Sequence, residues 1–163
     1  MPAIECITLN GQKRVVQKED LILRPAVYAI VVNDNKILLL TMSATGKYHL
    51  PGGGIKPGER MSDTLKRELW EETGIKVKVG KFVHFEEHFF YYDPSDTAYH
   101  GLHFYYVCTP ETVMLLKDDQ VVDESAGNPR WIDVRDLKAE DFQTNGEVIL
   151  DLCRKFALQQ VTQ

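Results

Sequence analysis

The chain has 163 residues, 44% hydrophobic and 26% charged, with a formal net charge of −5. That is enough for one domain with a real core, and the composition is ordinary for a globular protein. The acidic balance argues against extended nucleic acid as a partner, and no apolar run approaches membrane-spanning length, Ala29 to Val32 being part of a strand-sized piece. The first residues lack the basic and apolar regions of a signal peptide. Cys6, Cys108 and Cys153 are odd in number and have no metal or redox spacing, which predicts reduced thiols in a cytoplasmic protein.

Along the chain there is no linker, repeat or low-complexity run, so residues 1–163 are read as a single domain. Residues 1–24 form an N-terminal extension. In it, Ile4 to Leu9 and Gln12 to Val16 flank Asn10-Gly11, the pattern of a β-hairpin on a type I′ turn. This ribbon is expected to form a sheet edge or a homodimer contact. Ala26 to Val32 reads as a buried strand, with Lys36 to Met42 as its hairpin partner. Tyr48 to Leu50 is a short strand that delivers a Gly-rich loop. From Met61 to Thr73 there is neither Gly nor Pro, and Gly74 sits at a C-cap position, so a helix is predicted there. Strand patterns follow in Val77 to Phe90, His103 to Cys108, Val113 to Leu116 and Arg130 to Ile132. Val148, Ile149, Leu152 and Phe156 recur at helical spacing and predict a closing helix over Glu147 to Leu158. Mixed strands with one central and one C-terminal helix give an α/β sandwich.

Chemistry concentrates in the central helix and the loop before it. At about 100 degrees per residue, Met61, Leu65, Glu68 and Glu72 share a narrow arc, with Leu69 beside it and Glu71 at its edge. Carboxylates on an apolar stripe are costly to bury and repel one another, and a divalent cation removes both problems. Glu68, Glu71 and Glu72, at i, i+3 and i+4, can converge on one ion. All-oxygen ligands suit Mg²⁺ or Mn²⁺. Alone, these acids would read as a solvated helix face with Lys66 and Arg67 as partners. The preceding Pro51-Gly52-Gly53-Gly54 and Pro57-Gly58-Glu59 shift the reading, because glycines let backbone approach a phosphate closely.

Gly53, Glu59, Arg67, Glu68, Leu69, Glu71, Glu72, Gly74 and Ile75 fall at the spacing of the Nudix box, and the segment 53–75 resembles that signature at every defining position. The resemblance implies the Nudix α/β/α sandwich over about Pro25 to Phe156, with a mixed sheet. It also implies Mg²⁺-dependent hydrolysis of a pyrophosphate bond in a nucleoside diphosphate linked to another group. Glu68, Glu71, Glu72 and the Gly53 carbonyl are then the metal ligands. Glu68 is the favoured base, while Arg67 and Glu59 position the glutamates. Glu124, shortly before Trp131, is the candidate accessory ligand, with Asp118-Asp119 in competition. Asn145, before the last helix, is a candidate base-reading residue or simply a turn and N-cap. Tyr48, Phe90, Tyr91 and Tyr92 are candidate stacking residues or plain sheet aromatics. The expected substrate is a small (d)NTP-type nucleotide, with dinucleoside polyphosphates or ADP-ribose second. A non-catalytic nucleotide sensor is the competing class, and action on RNA ends is disfavoured by the acidic balance.

Overall fold

A computed structural model of the chain describes residues 2–121 and 125–159. Its centre is β3 (Leu21–Asn33), whose run Ala26–Val32 is buried throughout. A strand this apolar needs cover on both faces, and it has it. Helix α1 (Met61–Thr73) sets Leu65 and Leu69, both fully buried, among Val27, Ala29 and Val31. On the other face, α2 (Gly146–Leu158) sets Ile149, Leu150 and Cys153 among Ala26, Tyr28 and Ile30. Removing either leucine of α1 would cost about 2 to 5 kcal/mol of transfer and cavity energy. The α/β sandwich is therefore as the sequence implied.

The sheet is mixed. Strand β3 runs parallel to β8 (Thr97–Pro110) over Leu21–Val31, and β8 pairs antiparallel with β7 (Val77–Tyr92). Strand β7 in turn receives β1 (Ala3–Thr8) in parallel at Ile7 and Thr8 only, and β2 (Lys13–Gln17) closes that edge. The opposite edge of β3 takes β6 (Gly52–Gly54) and then passes to β4 (Lys36–Met42), which pairs with β9 (Ala126–Asp133) and β5 (Tyr48–His49).

Three expectations need correction. The N-terminal hairpin forms, but its turn is not type I′. The register makes Leu9-Asn10-Gly11 a three-residue loop, closed by Gly11 N–H to Thr8 O at 2.9 Å and Thr8 N–H to Gln12 O at 2.8 Å. Gly11 has φ +78° and Asn10 is not left-handed, whereas type I′ needs both positive. Residues Leu21 to Arg24, assigned to the extension, are part of β3 and pair with Ala98–Gly101. Val113 to Leu116 is not a strand. Its backbone instead ties down neighbours, with Leu116 N–H donating to Thr73 O and Val113 O accepting from the Trp131 indole. Among the described residues, no helix is long and apolar enough to cross a membrane.

Candidate active site

Strand β6 brings the glycine loop against α1, and the first close approach is there. A Cβ on Gly53 would lie 2.6 Å from Glu68 Oε1, so only glycine lets this carboxylate rest on the loop backbone. One turn on, Glu72 is 4% exposed and accepts the Gly52 N–H at 2.9 Å. Arg67 gathers the remaining acids. Its Nε and Nη2 donate to the two oxygens of Glu59 at 2.7 and 2.9 Å, and its Nη1 donates to Glu68 at 2.9 Å and to Glu71 at 3.3 Å. Lys56 N–H also donates to Glu59, at 3.0 Å. The Arg67 hydrogen bond, reinforced by that backbone donor, holds the Glu59 carboxyl down to about 2 although burial pushes the other way. The same pairs raise Arg67 above the ordinary arginine range.

These groups open onto a cleft of about 900 Å³. Glu68, Glu72 and Gly52–Gly54 form one end of it, Arg24 and Tyr28 flank them, and Phe90, Tyr92 and Tyr99 line a wall. The tip of the N-terminal hairpin, Leu9 to Gly11, lines the cleft as well. That tip is fixed from both sides. Leu9 N–H donates to Asp93 Oδ2 at 3.2 Å, and Leu9 O accepts from Gln143 Nε2 at 2.8 Å.

A family model described as the NUDIX domain matches residues 22–153. The chain belongs to the Nudix family. A nucleoside triphosphatase from Escherichia fergusonii is 40% identical over 65 residues, which cover 37% of this chain and 46% of that protein. An ADP-ribose pyrophosphatase from Methanocaldococcus jannaschii is 41% identical over 73 residues, covering 42% and 43%. The chain thus spans less than half the length of these curated relatives. Among solved structures, a NUDIX-family hydrolase from Clostridium perfringens superposes with a TM-score of 0.66 at 22% identity, covering 86% of this chain and 99% of that one. A MutT NUDIX hydrolase from Burkholderia pseudomallei gives a TM-score of 0.63 at 21% identity, covering 80% and 97%. These likenesses show the fold.

Within this Nudix site the glutamates are not gathered round one point. Glu71 is half exposed and paired with Arg67 at 3.3 Å. Among the described residues, no three His, Cys, Asp or Glu side chains are grouped to hold a metal ion. The donor chemistry still fits a hard divalent cation, the kind of ion on which Nudix proteins generally depend. Three carboxylates (Glu59, Glu68 and Glu71) share the one Arg67 guanidinium, and Glu68 and Glu72 line the cleft, an all-oxygen donor set.

The other predicted residues divide. Glu124 lies outside the described residues. Asp118 is tied to Arg130 at 3.3 Å. Asn145 lines the cleft with φ +46°, makes no side-chain cap of α2, and donates its amide to Glu86 instead. Tyr48 does not line the cleft. It packs on the core under α2 and borders a side cavity of about 30 Å³. Tyr91 is buried and bonded to Asp96, with the Arg14 guanidinium 3.8 Å over its ring.

Arg24, Tyr28, Tyr99, His88 and His103 were not singled out for the cleft. The missing signal was three-dimensional, because they meet across β3, β7 and β8. A partial signal existed, since Arg24 and Tyr28 are four apart in a strand and so share a face. His88 Nε2 lies 3.0 Å from His103 Nδ1. Burial lowers the pKa of both, His103 to about 3, so both rings are neutral at pH 7.

Proposed function

We propose that this Nudix protein hydrolyses a pyrophosphate bond in a nucleoside diphosphate linked to another group, supported by Mg²⁺ or Mn²⁺, with a (d)NTP-type nucleotide as the first candidate. The observation that carries the reading is the Glu68 carboxylate resting on Gly53, with Glu72 beside it, at the end of an aromatic-walled cleft. Glu68, Glu72 and the Gly53 carbonyl would hold the ion, with Glu71 and Glu124 completing the set. Once bound, the ion neutralises phosphate oxygens and acidifies water.

The chain's own residues supply the rest. Arg67 keeps Glu68 aimed and Glu59 ionised. Glu68 takes the proton of the attacking water. The bare backbone of Gly52–Gly54 lets phosphate oxygens approach closely. Phe90, Tyr92 and Tyr99 offer ring faces to a base, and Asn145 presents a polar edge near them. The name of the E. fergusonii relative, a nucleoside triphosphatase, agrees with the first candidate. A longer substrate, ADP-ribose or a dinucleoside polyphosphate, is the second reading. A cleft of about 900 Å³ favours it, since that is near the upper end for small-molecule sites. A non-catalytic sensor is disfavoured because all four box glutamates are retained.

The test is a panel of dGTP, CTP, ADP-ribose and diadenosine tetraphosphate with Mg²⁺, following released monophosphate, phosphate and pyrophosphate. Saturable turnover of a triphosphate with kcat/KM at least tenfold above the two longer substrates is the expected result. No turnover of any member would overturn the hydrolase reading, and preference for ADP-ribose or the dinucleotide would overturn the triphosphate choice.

A further inference from the structure

Arg24 is a permanent cation in an acidic cleft. Its guanidinium donates from Nη1 to the Tyr28 hydroxyl at 3.3 Å, stands 5.9 Å from the Tyr99 ring centre, and reaches to 3.9 Å from where a Gly54 Cβ would be. It also feels the charge of Glu68. Yet among the described residues no carboxylate lies within ion-pair distance of it, in contrast to Arg67, which holds three. The imidazoles near it offer no competing charge, because burial holds His103 and His88 neutral. A half-buried guanidinium that, among the described residues, contacts a tyrosine hydroxyl and the glycine loop but no carboxylate is placed to take an anion, and its planar fork matches phosphate oxygens.

We infer that Arg24 is the phosphate clamp of the cleft, gripping non-bridging oxygens of the substrate's phosphate chain beside the Gly52–Gly54 loop, with Tyr28 fixing the plane of the fork. The assignment rests on the nucleotide-hydrolase reading but deepens it, because it gives the phosphate chain a second anchor independent of the glutamates. Arg24 acts in binding and takes no part in proton transfer.

The experiment is calorimetric binding of methylenediphosphonate, a non-hydrolysable pyrophosphate analogue, to wild type, Arg24→Gln and Arg24→Lys in Mg²⁺, with melting curves for each. Loss of a charged, bidentate hydrogen bond should weaken binding by about 10- to 100-fold in the glutamine variant. The lysine variant keeps charge but not the fork and should lose less. On the best nucleotide of the panel, Arg24→Gln should raise KM by a similar factor while kcat changes little. Affinity within twofold of wild type in a normally folded Arg24→Gln overturns the clamp, whatever the panel shows. Should the glutamine variant not fold, wild-type affinity in Arg24→Lys overturns it instead. An Arg24-dependent affinity in a protein that cleaves nothing on the panel upholds the clamp while the hydrolase reading falls.

Discussion

Arg67 divides its five N–H donors among three glutamates and the Gly54 carbonyl, and two of them go to Glu59. The Glu59 pKa drops from an ordinary 4.5 to about 2. A folded-state pKa below the unfolded one gives stability that is present above the unfolded value and lost as pH falls through the folded value. The contribution should therefore be complete above about pH 4.5 and disappear between there and pH 2. Glu59 holds Thr64 and Lys56 as well as Arg67, so its loss also loosens the entry to α1. Melting temperatures of wild type and Glu59→Gln measured from pH 7 to pH 2.5 check this. Wild type should be the more stable at neutral pH, with the gap narrowing below pH 4.5. A gap independent of pH would show that the ionised Glu59–Arg67 pair contributes nothing to folding.

Helix α1 is the element on which the site depends, and its end is set by one residue. Gly74 has φ +76° and ψ +7°, its N–H closes on Trp70 O, and a Cβ there would meet Leu116 at 2.6 Å. Gly74→Ala should cost about 1 to 3 kcal/mol from the left-handed backbone, with the Leu116 clash added. Gly58→Ala is the control, since Gly58 also has positive φ (+87°) but open space around it. A larger fall in melting temperature for Gly74→Ala is expected; equal falls would show that the contact with Leu116 adds nothing. Both bounds of α1 were legible because an unbroken run without Gly or Pro ended at a glycine. The hairpin strands were legible for the same kind of reason, but the turn type was not. Asn-Gly favours a two-residue loop in isolation, whereas the pairing of Ile4 with Val16 and Ile7 with Lys13 leaves three residues to close. Val113 to Leu116 read as a strand from its apolar side chains, while its backbone groups serve the helix end and Trp131.

At the scale of the whole molecule, the sequence showed the end of the cleft that lies in one continuous segment, Gly52 to Glu72, and missed the walls assembled from distant ones. Arg24, Tyr99, His103 and the Leu9–Gly11 tip come together only because β1, β7, β8 and β3 lie side by side. One predicted feature changed meaning in that context: Tyr48 packs against the core under α2 instead of lining the cleft. All three cysteines are buried, with Cys108 and Cys153 pushed up to about 11 and 12 by burial, in keeping with inert thiols. The central claim is that Glu68 and Glu72 form a metal-dependent phosphate-cleaving centre. Its most direct test is nucleoside monophosphate release by wild type and Glu72→Gln, each in Mg²⁺ and in excess EDTA, with folding verified by melting curves. Wild type should turn over only with Mg²⁺, and the folded glutamine variant should lose about 10² to 10⁴ in kcat. Turnover in EDTA, or a folded Glu72→Gln within threefold of wild type, would contradict it.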